Sequence, residues 1–195
     1  MTACLGIDVG LRNLSYCILQ KTDEKFSITD WKLIDVLRLC GLDGSCDKLT
    51  SNEIHDIANY ALPLLFPPDT IHRYNIAHVA IEQQPHGKYG NQKIILFSHL
   101  IYNFFRIQLL NQKVGDKLET VVFTGSAKKY EKKWLLDNGL PRPTTYAQRK
   151  ETSVQLCNIF CKSLHVRTLS GHLTDKQDDL ADAFLLAFIA WQNWN

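Results

Sequence analysis

Residues 1–37 alternate between apolar runs and short polar breaks, a pattern typical of β-strands joined by turns. The run ACLGIDVG ends in Asp-x-Gly, LSYCILQ follows the short break LRN, and FSITDWKLIDVL at residues 26–37 is rich in β-branched and aromatic residues. Consecutive strands with short connections usually pair with each other. The pattern therefore predicts an antiparallel meander of three strands.

The pattern changes to a helical period in LTSNEIHDIANYALPLL, where Thr50 and Glu53 have the spacing of a capping box. Pro67 and Pro68 predict that this helix ends close to them. The apolar run IAHVAIE then predicts a fourth strand, which ends at Glu82 and is followed by the polar loop QQPHGKYGN. This strand would deliver a carboxylate at its end.

Residues 92–110 also have a helical period, but apolar side chains occur on nearly every face of this helix. Because a helix in a small domain has one face for its own sheet, the other apolar residues need a second partner, and we predict a dimer interface here. ETVVFTG predicts a fifth strand, and a long polar loop with prolines leads to a helix at residues 146–164. Together these elements predict an α/β fold with a mixed sheet.

The composition is that of an ordinary soluble protein, and 195 residues fit one domain, residues 1–195. No stretch approaches the roughly 18 apolar residues of a membrane span, and the first residues lack the features of a signal or transit peptide. We therefore expect neither membrane association nor secretion. The six cysteines form no CxxC pair, which favours reduced thiols over a disulfide framework or a zinc site.

Basic residues concentrate in one segment, although the net charge is only +2. Residues 124–150 contain two acidic residues and seven basic ones, which are Lys128, Lys129, Lys132, Lys133, Arg142, Arg149 and Lys150. A basic segment in a chain that also has clusters of carboxylates indicates a metal-dependent enzyme that acts on a polyanion.

The stretch DKQDDLADAFLLAF at residues 175–188 places four aspartates at the start of an apolar helix. Thr174 and Gln177 have the spacing of a second capping box, so the helix is predicted to begin at Thr174 or just after it. The helix dipole favours acidic residues in a first turn. The helix dipole is enough to explain Asp175. For Asp178, a role in the functional site is an equal alternative.

Asp179 and Asp182 need another explanation, because they share one face of the predicted helix a turn apart. If that face meets the sheet, two like charges are partly buried, which is costly unless a cation lies between them. Asp8 and Glu82 end apolar runs of the kind that become adjacent central strands. We therefore expect the four carboxylates to converge on a pair of Mg²⁺ ions roughly 3.5–4 Å apart, an arrangement used for phosphodiester cleavage.

Four segments of the chain resemble the RuvC-like Holliday junction resolvases, and most closely their branch in poxviruses and other large DNA viruses, which has mitochondrial relatives. The segments are GIDVGLRN around Asp8, AIEQQPHGKYGN around Glu82, YAQRKETSVQL around Lys150, and DKQDDLADAF around Asp179 and Asp182. Mitochondrial members have an additional helical segment before the first strand. Here that strand begins by about residue 3, which favours the viral branch.

The resemblance implies a ribonuclease H-like fold with a mixed five-stranded sheet flanked by helices, a homodimer, and paired symmetric nicks in four-way DNA junctions formed in recombination or replication. By position, the family's catalytic and metal-binding residues match Asp8, Glu82, Asp179 and Asp182. One ion would be bound by Asp8, Glu82 and Asp182 and a second by Asp8 and Asp179, with Mg²⁺ as the metal and Mn²⁺ as a substitute. Asp178 matches an additional acid of open role. For a viral member the expected location is the host-cell cytoplasm.

Eight residues are candidate DNA contacts, which position a duplex mainly through its phosphates. They are Gln83, Gln84, Lys88, Tyr89, Lys128, Lys129, Arg149 and Lys150. Lys150 is the strongest candidate, because it lies near the start of a predicted helix beside the site. Gln83 and Gln84 could instead order the metal ligands, and Tyr89 is a candidate for stacking on an unpaired base at the crossover.

Three other functions stay open on the sequence alone. Another ribonuclease H-like nuclease, acting on an RNA–DNA hybrid or as an exonuclease, would be a monomer, which the apolar helix at residues 92–110 disfavours. An actin-like sugar kinase or ATPase also opens with Asp-x-Gly on a hairpin, but it repeats the fold twice and needs more phosphate loops than ten glycines in 195 residues provide. A protein that binds branched DNA without cutting it would not need the four carboxylates.

Overall fold

The structure of the protein is a computed structural model that describes residues 2–23, 25–67, 69–85, 87, 90–111, 118–125, 130–166 and 177–194. The strands of these residues are β1 Thr2–Asp8, β2 Leu14–Thr22, β3 Lys25–Ile34, β4 Ile76–Gln83 and β5 Thr120–Gly125. They form one mixed sheet in the order β3-β2-β1-β4-β5. This confirms the fold class that the sequence predicts.

The pairing of the strands places two carboxylates at one edge of the sheet. β2 pairs antiparallel with β1 and with β3, as the predicted meander requires, while β4 runs parallel to β1 and to β5. β1 and β4 are therefore adjacent central strands, and their carboxyl ends lie at the same edge. Asp8 ends β1 there opposite Ser15 of β2, and Glu82 lies opposite Thr124 of β5.

Four long helices appear close to where the sequence predicts them. The α-helices of the described residues are α1 Val36–Leu39, α2 Ser51–Leu65, α3 Thr70–Tyr74, α4 Gln92–Leu110, α5 Lys132–Asp137, α6 Tyr146–Ser163 and α7 Gln177–Trp194, and a 3₁₀ turn lies at Cys46–Lys48. The predicted capping box begins α2, where the Thr50 side chain accepts a hydrogen bond from the Glu53 N–H and the Glu53 carboxylate accepts one from the Thr50 N–H. The predicted capping box at Thr174 lies outside the described residues.

The third strand is shorter than predicted, and three short helices follow no clear pattern in the sequence. β3 ends at Ile34 rather than at residue 37, because Asp35 caps α1 by accepting a hydrogen bond from the Arg38 N–H at 3.0 Å. The capping Asp35 is held in turn by Arg12, whose guanidinium lies 2.8 Å from its carboxylate. α3 and α5 contain five and six residues, too few to show a helical period.

Helices cover both faces of the sheet. One face packs on α2 and α4, and its core contains buried side chains such as Leu5, Ile18, Phe66, Phe97 and Phe105. The other face packs on α7, which α6 covers from outside, and its core contains Leu19, Phe184, Phe188, Trp134 and Leu156. Both cores are dominated by large apolar side chains, the main source of folding free energy.

The described residues can be compared with the expectations about membrane spans and cysteines. No helix among them has the length and apolar character needed to cross a bilayer. The six cysteines are free, and Cys4, Cys17 and Cys157 are buried. Burial raises the pKa of the Cys4 thiol to about 12, which keeps it protonated and unreactive at neutral pH.

α7 lies directly on β1 at Gly6, in the middle of the sheet. A Cβ atom on Gly6 would lie 2.2 Å from the carbonyl oxygen of Ala183 and 2.3 Å from the backbone nitrogen of Ala187. Backbone atoms of a packed helix cannot move away as the end of a side chain can. A glycine in the interior of a strand often marks such a close approach between two segments of backbone.

We predict that Gly6→Ala lowers the free energy of unfolding by about 1–3 kcal/mol or more, because the added methyl group forces α7 away from the sheet. Chemical denaturation of the two proteins measures the difference. Gly44→Ala is the matched control, since a Cβ atom there meets nothing within 4 Å, and its effect should be about 0.5 kcal/mol or less. Equal stability of all three proteins would contradict the close approach at Gly6.

Candidate active site

Two neighbouring strands place the first two carboxylates of the site. Asp8 is the last residue of β1, and Glu82 is the second-last residue of β4. Both follow runs of buried apolar residues, which hold these strands at the centre of the sheet. Because side chains alternate along a strand, Asp8 lies on the same face as Gly6, the face that α7 covers.

The beginning of α7 supplies the third carboxylate, that of Asp182. One carboxylate oxygen from each of Asp8, Glu82 and Asp182 lies within 4.8 Å of the other two, and all three residues are half-buried. We call these residues the carboxylate triad. Three negative charges this close repel one another where water screens them poorly, unless a cation binds between them. Oxygen ligands are the ones that Mg²⁺ and Mn²⁺ prefer, so the triad fits a hard divalent cation.

Asp179, the fourth predicted ligand, lines the same cleft as the triad. Among the described residues, the group whose oxygens lie within 4.8 Å of one another contains Asp8, Glu82 and Asp182 but not Asp179. Asp179 precedes Asp182 by one helical turn, as the spacing in the sequence requires. The fold thus brings all four predicted carboxylates into one cleft and groups three of them closely.

Two side chains of the sheet hold the first turn of α7 in place. The Ser15 hydroxyl donates a hydrogen bond of 2.6 Å to the backbone oxygen of Asp179, and the Trp31 indole N–H donates one of 2.9 Å to the backbone oxygen of Leu180. Ser15 is fully buried. Since these carbonyl groups belong to the turn that carries Asp179 and leads to Asp182, the two bonds fix where that turn lies over the sheet.

Gln84 orders one member of the triad, while Gln83 lies on the other face of the sheet. The Gln84 side-chain amide donates a hydrogen bond of 3.0 Å to the Glu82 carboxylate, which supports the predicted role of ordering a metal ligand. Gln83 lines a small cavity together with Ile95, Ser98, His99 and Phe123, and Gln84 lies between this cavity and the cleft of the triad, since it lines both.

The triad opens into a cleft of about 340 Å³. Its lining consists of Asp8, Glu82, Gln84, Pro85, Tyr130, Tyr146, Arg149, Lys150, Asp178, Asp179 and Asp182. Lys150 forms an ion pair with Asp178, and the side chains of the two residues are 41% and 16% exposed. The hydrogen bond to Asp178, with a further contribution from Tyr146, holds the pKa of Lys150 well above its usual range. Lys150 therefore keeps its positive charge at the cleft.

Only part of the predicted DNA-binding set lies within the described residues. Two of the candidates, Arg149 and Lys150, lie on α6 and line the cleft. The candidates that lie outside the described residues are Lys88, Tyr89, Lys128 and Lys129. Asp175 lies outside them as well.

The sequence does not identify several residues that build the cleft. Ser15 is a polar residue in the apolar run LSYCILQ, which indicates a buried hydrogen bond but not its partner. Nothing in the sequence connects Trp31 with the last helix. Tyr130 lines the cleft, and its hydroxyl contacts the backbone oxygen of Arg149 at 3.1 Å and the Ser153 hydroxyl at 2.8 Å. This position depends on the tertiary packing of α6.

We predict that Ser15→Ala weakens the binding of Mn²⁺ by roughly 10-fold, a typical effect of losing a residue that positions metal ligands. The free energy of unfolding should fall by about 1 kcal/mol, as for loss of one hydrogen bond. Calorimetric titration with Mn²⁺ and chemical denaturation measure the two effects. Ser98→Ala is the matched control, because Ser98 is also buried and donates to a backbone oxygen, that of Ile95, away from the cleft. Equal Mn²⁺ affinity of the two variants would exclude the positioning role of Ser15.

No family model matches this sequence, and no curated protein sequence matches it either. Solved structures do resemble the chain over nearly its whole length. The yeast mitochondrial Holliday junction resolvase Ydc2 is 18% identical, with a TM-score of 0.67 over 97% of this chain and 80% of that chain. The fowlpox virus resolvase in complex with substrate Holliday junction DNA is also 18% identical, with a TM-score of 0.53 over 98% of this chain and 97% of that chain.

The RuvC protein of Thermus thermophilus, in complex with a Holliday junction substrate, is 14% identical, with a TM-score of 0.52 over 98% of this chain and 95% of that chain. The yeast and fowlpox proteins are equally identical to this chain, so identity does not separate a mitochondrial from a viral relationship. At such identities the likeness shows the fold. The chain has the ribonuclease H-like fold, which it shares with these yeast and fowlpox Holliday junction resolvases and with RuvC.

Proposed function

We propose that this protein is a Holliday junction resolvase, a metal-dependent endonuclease that makes paired nicks in four-way DNA junctions. The observation that carries the proposal is the carboxylate triad in a cleft that Arg149 and Lys150 also line. Cleavage of a phosphodiester needs metal ligands at the phosphate and cations that hold the DNA backbone. Proteins with the same fold are named as resolvases, and two of them were solved with junction DNA.

The metal would be Mg²⁺, with Mn²⁺ as a substitute. Asp8, Glu82 and Asp182 would hold one ion. Asp179, which lines the same cleft, would be the further ligand that a second ion needs. When bound, a pair of ions activates a water molecule for in-line attack and stabilises the oxygen that leaves. The donor set supports this chemistry, since carboxylates leave coordination positions open for water and phosphate.

The residues around the triad would bind and orient the DNA strand. Gln84 holds the Glu82 carboxylate at 3.0 Å, and Ser15 holds the turn that carries Asp179, so the ligands are arranged before DNA binds. Lys150 is paired with Asp178 and can exchange that carboxylate for a phosphate without loss of its charge. Arg149 offers a second cation one residue away on the same helix.

A homodimer would give the two active sites that paired nicks require. α4 supports it, because Leu96, Leu100, Asn103, Ile107 and Leu110 follow one another at helical spacing along one side of the helix, and all of them except Asn103 are apolar. Leu96 and Leu100 are partly buried, whereas Ile107 is 57% and Leu110 75% exposed. An apolar stripe of this kind on the surface favours contact with a second copy of the chain.

Incubation with a labelled four-way junction, a linear duplex and an RNA–DNA hybrid tests the proposed activity. We expect symmetric nicks in the junction alone in the presence of Mg²⁺ and none after chelation with EDTA. Asp182→Asn removes one charge of the triad and should lower the rate by about 100-fold or more, the loss typical of removing one electrostatic stabiliser of a transition state. Asp56→Asn, an exposed position on α2, should leave the rate unchanged.

Three results of this experiment would overturn the proposal. Cleavage of the hybrid in place of the junction would favour another ribonuclease H-like nuclease. Binding of the junction without cleavage under any divalent metal would favour a protein that recognises branched DNA. Equal loss of activity in Asp182→Asn and Asp56→Asn would show that the triad is not the site of the reaction.

We predict that Ile107→Asp combined with Leu110→Asp weakens the dimer by about 3 kcal/mol or more, because charged groups replace the apolar side chains at the proposed contact. Sedimentation equilibrium measures the change in the dissociation constant. Leu136→Asp is the matched control, since Leu136 is 66% exposed on α5, outside the stripe on α4. A monomeric wild-type protein at micromolar concentration would exclude the dimer.

A further inference from the structure

Tyr146 is an exposed aromatic residue at the candidate active site. It is the first residue of α6, its side chain lines the cleft of the triad, and 66% of its surface is exposed. A tyrosine ring that packs in a core or under a loop loses most of its exposure. Here most of the ring stays accessible beside the place where the reaction is proposed to occur.

The start of α6 holds Tyr146 on a rigid element. Thr145 and Gln148 form a capping box, in which the Thr145 hydroxyl accepts a hydrogen bond from the Gln148 N–H and the Gln148 side chain accepts one from the Thr145 N–H, both at 3.2 Å. Tyr130 anchors the next turn through the backbone oxygen of Arg149 and through Ser153. The backbone that carries the exposed ring is therefore fixed before any ligand binds.

Two positively charged side chains lie close to the ring. The Arg149 guanidinium carbon lies 5.8 Å and the Lys150 amino group 5.1 Å from the centre of the Tyr146 ring. Lys150 in turn pairs with Asp178, which precedes Asp179 on α7. Two cations that can bind phosphate therefore lie close to the ring, one helical turn further along α6, and the ring is next to the helix that carries the carboxylates.

An aromatic ring beside two cations suits one kind of ligand, a nucleic acid strand with an unstacked base. Bases of any type stack on aromatic side chains, while neighbouring cations hold the backbone of the same strand. In a continuous duplex both faces of each base are covered by the neighbouring base pairs. A base next to a branch point can leave the stack, and this exposes a face that a protein ring can cover.

We propose that Tyr146 stacks on the base next to the phosphate that is cut, and that this contact helps the protein to choose branched over continuous DNA. The inference rests on the proposed resolvase function and adds to it a residue that determines specificity. Tyr146 would recognise the unstacked base by its π-face, so the contact would tolerate any of the four bases. Arg149 and Lys150 would hold the adjoining phosphates.

Single-turnover cleavage of a four-way junction by Tyr146→Leu and Tyr146→Phe tests the role of the ring. The leucine variant should cleave about 5-fold to 150-fold more slowly, the loss expected for one base–aromatic stack. The phenylalanine variant keeps the ring and should stay within about twofold of the wild type. Tyr60→Leu is the matched control, because Tyr60 is 57% exposed on α2, on the other face of the sheet.

The second part of the experiment uses a four-way junction that lacks the base next to the phosphate that is cut. If the ring stacks on that base, its removal slows the wild-type protein by the same factor as Tyr146→Leu, and the leucine variant loses nothing more. If the rate losses from Tyr146→Leu and from removal of the base were additive, the proposal would be overturned. Equal losses in Tyr146→Phe and Tyr146→Leu would also overturn it, since the hydroxyl beside Lys150 would then be the important group, and so would a leucine variant as fast as the Tyr60→Leu control.

The two proposals fail in different ways in these experiments. If the wild-type protein leaves the intact junction uncut under Mg²⁺ and Mn²⁺, the resolvase function fails and the role of Tyr146 in choosing branched DNA fails with it. If the wild-type protein cuts the junction and Tyr146→Leu cuts it equally well, only the role of Tyr146 fails. Binding of Mn²⁺, measured by calorimetry, should be the same in all variants of Tyr146, and a loss of Mn²⁺ binding would show damage to the metal site instead of a lost stack.

Discussion

The close packing of α7 on β1 at Gly6 is the contact on which the rest of the structure depends. A helix that crosses a sheet usually stands off by the length of the side chains between them, whereas here the backbone of Ala183 and Ala187 lies where a Cβ atom of Gly6 would be. Asp182 is next to Ala183 in the chain, and Asp8 is two residues from Gly6. The same contact that fills the core therefore sets how closely the carboxylates of the site approach one another.

The site gathers negative charge at one place, and hydrogen bonds from the sheet hold it there. Repulsion among the triad carboxylates opposes folding, and the ion pair of Lys150 with Asp178 places a positive charge at the margin of the cleft. The hydrogen bonds from Ser15 and Trp31 hold the turn of α7 against this repulsion. Stored repulsion of this kind is typical of functional sites, because it gives a cation a prepared place to bind.

The strands and the four carboxylates could be predicted because their features are local. Apolar runs that end in Asp8 and Glu82 indicate strands, and two aspartates one turn apart indicate one face of a helix. The end of β3 could not be predicted, since the capping role of Asp35 depends on a helix of only four residues. The contacts of Ser15 and Trp31 with α7, and the position of Tyr146 beside Lys150, join segments far apart in the chain. Periodicity contains no information about such pairs.

The triad is assembled from three distant segments of the chain, with Asp8 in the first strand, Glu82 in the fourth and Asp182 in the last described helix. A ribosome that is making this protein therefore releases the first two carboxylates long before the third is synthesised. A fragment that stops before residue 177 lacks α7 altogether, and with it both the cover of one face of the sheet and the completed ligand set. A truncated product of this kind could not bind a cation at the complete triad, so the proposed cleavage chemistry requires that α7 be synthesised and packed on the sheet.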